Sequence, residues 1–180
     1  MATSSRRYVV LVRGINVGGR AKLPMATLRD ICASIGCTSV ETYVQSGNAV
    51  LESTLSAAKL PGALEDAIEK KMRFRPRVVV RRHSDLVRVL DNNPYPDTDE
   101  RFLHVGFMSD KPTKKALASI DGLDLEPEGF SVAGKEIYLN YVEGAGRSKK
   151  LGKVPFEKRL GVAITARNLR TVAKLAEMSA

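Results

Sequence analysis

The order of strand-like and helix-like segments constrains the fold of this chain more than any other feature. Tyr8 to Val12 is a short apolar, β-branched run that predicts a strand, and the apolar spacing from Pro24 to Ile35 predicts a helix that stops at Gly36. Two strands around the turn Ser46-Gly47, a helix and a last strand follow at residues 40–45, 48–52, 60–72 and 78–80. The resulting order, β-α-β-β-α-β, is that of a ferredoxin-like fold.

The second half of the chain repeats this order more weakly. Strands are predicted at 102–108, 129–133 and 136–141, and helices at 112–120 and 149–160. A final helix, at about 168–178 and capped by Thr165, is predicted in place of the last strand. We therefore expect an α+β fold of two ferredoxin-like halves, the second truncated and ending in a C-terminal helix. The expected parts are an N-terminal ferredoxin-like subdomain (1–82), a helix and linker (83–100), and a C-terminal ferredoxin-like subdomain with the terminal helix (101–180).

Composition excludes several classes of protein. Of the residues, 43% are hydrophobic, but none of the apolar runs approaches the roughly 18 residues of a membrane span. The N-terminus also lacks the apolar segment of a secretory signal. We therefore expect a soluble, cytoplasmic protein with no membrane partner. Cys32 lies on the apolar stripe of the first helix, and two cysteines supply too few ligands for a zinc site, so structural thiols and no metal are predicted.

The net charge of +9 is unevenly distributed. Residues 1–82 contain 14 basic and 6 acidic groups, residues 83–143 contain 6 and 12, and residues 144–180 contain 9 and 2. Two basic ends thus enclose an acidic middle. This asymmetry indicates either an anionic partner or docking of the segments on one another, within a monomer or in a homodimer.

The loop R-G-I-N-V-G-G-R, at 13–20, is the best candidate for a site. In a ferredoxin-like sheet the end of the first strand lies beside the start of the third, so this loop is expected to meet Q-S-G-N at 45–48. The entry of the fourth strand, R-F-R-P-R at 73–77, is expected at the same edge. Arginines and backbone N–H groups suit a phosphate or carboxylate. The residues expected at this edge are Arg13, Asn16, Arg20, Gln45, Ser46, Asn48, Arg75 and Arg77.

A purely structural interpretation of these motifs is open as well. Glycines are common where the chain turns with positive φ, and asparagines in turns often bond to local backbone. The spacing G-x-x-x-G-G also differs from the dinucleotide signature G-x-G-x-x-G, and a P-loop sequence is absent. The loop therefore predicts an anion site or a tight turn, but not a known nucleotide-binding fold.

Four segments resemble the bacterial family called domain of unknown function 1697 (DUF1697). They are Y-V-V-L-V-R-G-I-N-V-G-G, L-P-M-A-x-L-R, T-Y-V-Q-S-G-N-A-V-L and the C-terminal T-A-R-N-L-R-T-V-A-K-L. The resemblance implies two ferredoxin-like subdomains and assigns no biochemical activity or cofactor. Leu169 stands where the family usually has an aromatic residue, commonly Trp. The motif positions that carry over are Arg13, Gly14, Asn16, Gly18, Gly19, Tyr43, Gln45, Ser46, Gly47, Asn48, Thr165, Arg167 and Asn168.

From these observations the sequence favours binding of a small anionic ligand. The predicted ligand-binding residues are Arg13, Gly14, Asn16, Gly18, Gly19, Gln45, Ser46 and Asn48, joined by Thr165, Arg167 and Asn168 if the last helix packs against the first half. His83 and His104 are the two imidazoles, and neither lies in a recognisable catalytic or metal-binding pattern. Catalytic residues, and enzyme activity itself, therefore remain unassigned.

Two alternatives stay open at this point. The basic ends could bind nucleic acid through its backbone, which predicts a steep loss of affinity with salt. Base stacking is disfavoured, because the first strand offers only Tyr8 and the third offers no aromatic residue. The other alternative is an assembly protein without a small ligand, in which the acidic middle docks against the basic ends.

Overall fold

The computed structural model describes residues 4–19 and 21–180. These residues divide into two compact units: the chain up to Val87 together with Leu175–Ala180, and Arg88–Lys174. We call them the first unit and the second unit. Each contains one four-stranded antiparallel sheet with helices, so the predicted α+β fold of two ferredoxin-like halves is confirmed. None of the helices in the described ranges is long and apolar enough to cross a membrane.

The first unit follows the predicted order closely. Its sheet has the strand order β2-β3-β1-β4, with β1 antiparallel to both of its neighbours. The elements are β1 (Arg6–Val12), α1 (Met25–Ser34), β2 (Thr38–Tyr43), β3 (Asn48–Ser53), α2 (Leu60–Met72), β4 (Val78–Arg81) and α3 (His83–Asp91), whose last residues belong to the second unit.

The core of the first unit explains why β1 is apolar along its whole length. Tyr8, Val10 and Val12 pack in one cluster with residues of α1 and α2 such as Leu28 and Leu64. Val9 and Leu11, which alternate with them, are also fully buried. The sheet is thus buried on both faces at β1, as a strand without polar alternation predicts.

The second unit has the strand order β6-β7-β5-β8. Its elements are β5 (Leu103–Met108), α4 (Lys114–Ala118), β6 (Gly129–Ala133), β7 (Glu136–Asn140), two 3₁₀ turns (Ala145–Arg147 and Leu151–Lys153), α5 (Phe156–Leu160), β8 (Ile164–Asn168) and α6 (Leu169–Met178), which ends in the first unit. The helix predicted at 149–160 is therefore broken into a 3₁₀ turn and α5. Pro155, at the N-cap of α5, cannot donate the backbone hydrogen bond that a continuous helix would need.

The prediction that a helix replaces the last strand of the second half is wrong. Ile164–Asn168 forms β8, which pairs antiparallel with β5 over its full length, so the second sheet is complete. Within β8 the polar Thr165 and Arg167 are buried, while the apolar Ala166 is exposed. Burial along this strand therefore does not follow apolar character. For the same reason Thr165 does not cap α6; Asn168 does, and its Oδ1 accepts a hydrogen bond from the Thr171 N–H at 2.9 Å.

Matching hydrogen bonds show that the two sheets are built on one plan. At the end of β1 the Val12 N–H donates to the Gly47 carbonyl at 2.8 Å, and at the end of β5 the Met108 N–H donates to Lys135 at 2.8 Å. One residue further on, Arg13 donates to the Arg77 carbonyl at 2.9 Å, just as Ser109 donates to Ala163 at 2.9 Å. Each loop of the first unit therefore has an identifiable counterpart in the second.

Candidate functional site

Two loops meet at one end of the first sheet. The first loop, residues 13–24, joins β1 to α1, and the second loop, Val44–Gly47, joins β2 to β3. We call them together the loop edge. Their contact is direct, because the Asn16 Nδ2 donates to the Gln45 carbonyl at 2.7 Å. The predicted meeting of R-G-I-N with Q-S-G-N is therefore observed.

Asn16 is the residue that holds the first loop in shape. Besides its bond to Gln45, the Nδ2 donates to the Leu23 carbonyl at 2.9 Å, and the Oδ1 accepts from the Leu23 N–H at 2.8 Å. Its own N–H donates to the Ala21 carbonyl at 3.2 Å. Both amide hydrogens are thus used inside the protein. Asn16 acts as a positioning residue that ties the two loops together.

Asn48 has a similar role at the base of the second loop. It is fully buried, and its Nδ2 donates to the Tyr43 carbonyl at 3.0 Å and to the Ser46 Oγ at 2.9 Å. These bonds close the loop between β2 and β3 from inside. The interpretation that both asparagines bond to nearby backbone therefore fits the geometry.

Gly47 allows the two loops to approach each other. A Cβ added at this position would lie 2.7 Å from the Ile15 Cδ1 and 3.0 Å from the Val12 Cβ, and the backbone is left-handed with φ +81°. Any other residue would push Ile15 away. Glycine is required here both by the close contact and by the backbone conformation.

The glycines of the first loop have a different explanation. Gly14, Gly18 and Gly19 have φ of +68°, +61° and +73°, and a Cβ added at any of them would meet nothing within 4 Å. Gly18 and Gly19 lie between Asn16 and Ala21, where the chain is closed by a backbone hydrogen bond. Glycine adopts positive φ at two consecutive positions without the steric cost that other residues meet. The glycines therefore serve the turn and leave open space above it.

Several polar and basic residues of the loop edge, and Arg77 at the entry to β4, face solvent. Arg13, Gln45 and Ser46 are exposed, and the side chain of Arg77 is 67% exposed. Arg13 directly follows the last residue of β1, which fixes the position of its backbone. Arg20, expected at the same edge, lies outside the described residues.

The basic entry to β4 is largely compensated by acidic residues of α2. Arg75 pairs with Glu65 at 3.3 Å, with Glu69 at 3.0 Å and with Asp66, and the hydrogen bonds to Asp66 and Glu69 raise the pKa of its guanidinium. Arg77 lies 3.7 Å from the buried Glu65 carboxylate. These pairs reduce the positive charge expected at 73–77. Within the described loop edge the basic side chains are those of Arg13 and Lys22, and both are exposed.

Two exposed valines of the loop edge escaped the sequence analysis. Val17 is 69% exposed on the first loop, and Val44 is 51% exposed on the second. Both lie inside the motifs that were singled out, R-G-I-N-V-G-G and Y-V-Q-S-G-N. The signal that could have found them is an apolar side chain in an otherwise polar turn.

Comparison with known proteins agrees with the motifs. A family model described as "Protein of unknown function (DUF1697)" matches residues 5–138. The chain belongs to this family. A conserved bacterial protein from Streptococcus pneumoniae has a similar solved structure, with a TM-score of 0.80 and 30% sequence identity over 98% of this chain and 100% of that one. Comparison with curated protein sequences gives no match. The DUF1697 match includes both loops, whereas the T-A-R-N motif lies beyond it.

Thr165, Arg167 and Asn168 of this DUF1697 protein lie in β8, in the second unit. The Arg167 Nη1 donates to the Thr165 Oγ1 and to the Ala166 carbonyl, each at 2.8 Å, and burial lowers the pKa of its guanidinium to about 10. Asn168 caps α6. These contacts lie within β8 and at the start of α6.

The histidines and acidic groups form no recognisable catalytic set in the described ranges. The His83 Nδ1 lies 3.0 Å from the Ala176 carbonyl, and His104 packs edge-on against Tyr141 with ring centroids 5.2 Å apart. In the linker, Arg101 binds Asp99 through its guanidinium and holds the pKa of that carboxyl down at about 2. Clusters of three or more potential metal ligands do not occur among the residues described.

Both cysteines belong to the core of the first unit. Cys32 and Cys37 are buried free thiols, and they pack in the cluster that contains the helix-facing side of β1. Burial raises the pKa of the Cys32 thiol to about 12, with a smaller contribution from Cys37. A thiol with such a pKa is protonated at neutral pH and is a poor nucleophile.

Proposed function

We propose that the loop edge of the first unit binds a small anionic ligand that carries a phosphate or carboxylate group. The observation that carries this proposal is the difference between equivalent loops in one chain. Twelve residues, 13–24, separate β1 from α1, whereas five, 109–113, separate β5 from α4. Four residues, 44–47, join β2 to β3, whereas two, 134–135, join β6 to β7. The second unit builds the same sheet with much shorter connections.

The proposed ligand follows from the groups that the loop edge presents to solvent. An arginine offers several N–H donors at fixed angles, which match the oxygens of phosphate and carboxylate. Arg13 is exposed directly after β1, and Gln45 and Ser46, with an amide and a hydroxyl, are exposed on the second loop. Ordered loops support such a site, because a ligand then binds without ordering the chain first.

The loop-edge residues divide into three roles in this proposal. Arg13, Gln45 and Ser46 contact the ligand through their side chains. Asn16 and Asn48 position the loops, since their amides bind within the protein. The remaining residues of the proposal, Gly14, Gly18 and Gly19, give the first loop its path.

The proposal is tested by titrating the protein with inorganic phosphate and with acetate, using isothermal calorimetry and amide chemical shifts. Arg13→Ala removes a charge-assisted interaction of about 1.5–3 kcal/mol, so we expect affinity to fall roughly 10- to 100-fold. The matched control is Arg170→Ala, which removes an exposed arginine of α6 in the second unit.

The outcome separates the proposal from the two other functions. Equal affinity in the Arg13→Ala and Arg170→Ala variants would refute a site at the loop edge. Nucleic-acid binding through basic surfaces predicts that both variants weaken the binding of nucleic acid, and that its affinity falls steeply between 0.05 and 0.2 M salt. Absence of any anion binding would favour an assembly role.

A further inference from the structure

Val44 has a backbone conformation that its side chain makes unfavourable. Its φ is +49°, in the left-handed region. Among the described residues with positive φ, the non-glycine ones are Asn16, Ala21, Ser39, Val44 and Arg73. Val44 alone in that set is β-branched, and a β-branched residue with positive φ is a true outlier. Strain of this kind persists where the surroundings impose it, and it concentrates at functional sites.

The strain at Val44 is not offset by burial of its side chain, which is 51% exposed. Asparagine or glycine would adopt the same conformation more easily. Hydrogen bonds from Asn16 to Gln45 and from Asn48 to Tyr43 and Ser46 hold the second loop on either side of Val44. The local fold therefore explains how the strain is held, but gives no reason for valine at this position.

A second exposed valine lies on the adjoining loop. Val17 follows Asn16, whose amide donates to the carbonyl of Gln45, and Gln45 follows Val44. The two valines therefore flank the hydrogen bond that joins the loops. Only one other large hydrophobic side chain in the described part of the chain, Val142, is comparably exposed. Two of these three side chains thus belong to the loop edge, which also carries the exposed Arg13.

We infer that the ligand of the loop edge is an amphiphilic anion: Arg13 binds its phosphate or carboxylate group, and Val17 and Val44 contact an apolar group attached to it. The inference rests on the proposed function and specifies its ligand class. An apolar substituent would cover the two valines and remove their surface from water, which contributes affinity in proportion to the area buried. An inorganic anion would leave both valines exposed.

The test compares pairs of probes that differ by one apolar group. Inorganic phosphate is paired with phenyl phosphate, and acetate with benzoate, so that the two pairs also distinguish a phosphate site from a carboxylate site. We expect the aromatic member of the preferred pair to bind about tenfold more tightly to the wild-type protein, as burial of a few apolar carbon atoms predicts.

Two variants and one control locate the apolar contact. Val44→Asn and Val17→Ser should each reduce the preference for the aromatic probe to less than about threefold, while affinity for the inorganic anion or acetate stays within twofold. Val142→Ser, at an exposed valine of the second unit, should leave the preference unchanged. Val44→Asn should also raise the melting temperature, because asparagine tolerates the left-handed conformation.

Every other result of the probe and variant experiments contradicts a specific part of the inference. If the simple anions bind but the aromatic probes bind no better, the amphiphilic ligand class is wrong and the anion site stands. If Val44→Asn and Val17→Ser keep the full preference, the valines do not contact the ligand. A lower melting temperature in Val44→Asn would make Val44 a structural residue. Binding of none of the four probes refutes both the anion site and its extension.

Discussion

Replacement of Gly47 by alanine tests whether the two loops are held together as tightly as the structure indicates. The new Cβ would lie 2.7 Å from the Ile15 Cδ1, 3.0 Å from the Ile15 Cγ1 and 3.0 Å from the Val12 Cβ. Val12 is a strand residue whose N–H binds the Gly47 carbonyl, so it cannot retreat without breaking the ladder. Ile15 is buried and has little room to move.

The expected cost has two parts and one offset. Left-handed backbone costs alanine about 1–2 kcal/mol, and an extra methyl group in a packed site costs about 1–3 kcal/mol. Replacing glycine also restricts the unfolded chain, which returns about 0.4–1 kcal/mol. We therefore expect Gly47→Ala to lower the free energy of unfolding by about 2–4 kcal/mol.

The second unit offers a matched control for the part of this cost that comes from the left-handed backbone. Gly134 lies in the corresponding turn between β6 and β7, has φ +64°, and has nothing within 4 Å of an added Cβ. Gly134→Ala should therefore cost only about 1 kcal/mol. Urea unfolding followed by far-ultraviolet circular dichroism measures both variants. If Gly47→Ala is no more destabilising than Gly134→Ala, the close contact with Ile15 and Val12 is refuted.

Two further predictions concern single side chains. Asn16→Asp replaces the amide that donates to the Leu23 and Gln45 carbonyls with an acceptor, so we expect the free energy of unfolding in urea to fall by about 2–3 kcal/mol. An unchanged urea midpoint would refute the link between the loops. Burial lowers the pKa of His104 from its ordinary value of 6.5, so its NMR titration should have a midpoint below that value. As the pH falls, the unfolded chain takes up this proton before the folded chain does, so the stability that depends on neutral His104 is complete above about pH 6.5 and falls as the pH drops toward the folded pKa. His104→Gln should abolish this pH dependence of the free energy of unfolding. A His104 titration midpoint above 6.5 would contradict its burial.

The first half of the chain was more predictable from its sequence than the second, for a physical reason. In the first half, burial follows the pattern of apolar residues: β1 is apolar throughout and buried throughout. In β8 the buried residues are Thr165 and Arg167, whereas Ala166 is exposed, so a rule that places apolar residues inside predicts the wrong element. The strand forms because its backbone pairs with β5 and the Arg167 guanidinium finds oxygen acceptors nearby.

The loop edge shows the same division between what topology predicts and what it leaves open. The order of strands was enough to place R-G-I-N beside Q-S-G-N, because neighbouring antiparallel strands fix which ends meet. It did not predict that Arg75 would pair with Glu65, Asp66 and Glu69, since that contact depends on the rotation of α2. Nor did it predict the left-handed conformation of Val44, a residue type that seldom adopts it.

The first loop is costly to the fold because of its order and not because of its length. Closing a flexible loop of twelve residues instead of five costs only about 0.8 kcal/mol, because the entropy varies with the logarithm of length. Fixing each residue in one conformation costs far more, about 1–2 kcal/mol. The first loop holds Gly14, Asn16, Gly18, Gly19 and Ala21 at positive φ, and the Asn16 amide anchors it to its neighbour.

The second unit shows that the sheet does not require this ordered loop. There the same ladder bonds form at Met108 and Ser109, and the chain enters α4 after five residues. The hydrogen bonds of Asn16 explain how the longer loop keeps its shape, and they join it to the second loop at Gln45. A loop whose order is costly, and whose removal the fold can accommodate, is best explained by what it presents to solvent: the exposed side chains of Arg13 and Val17.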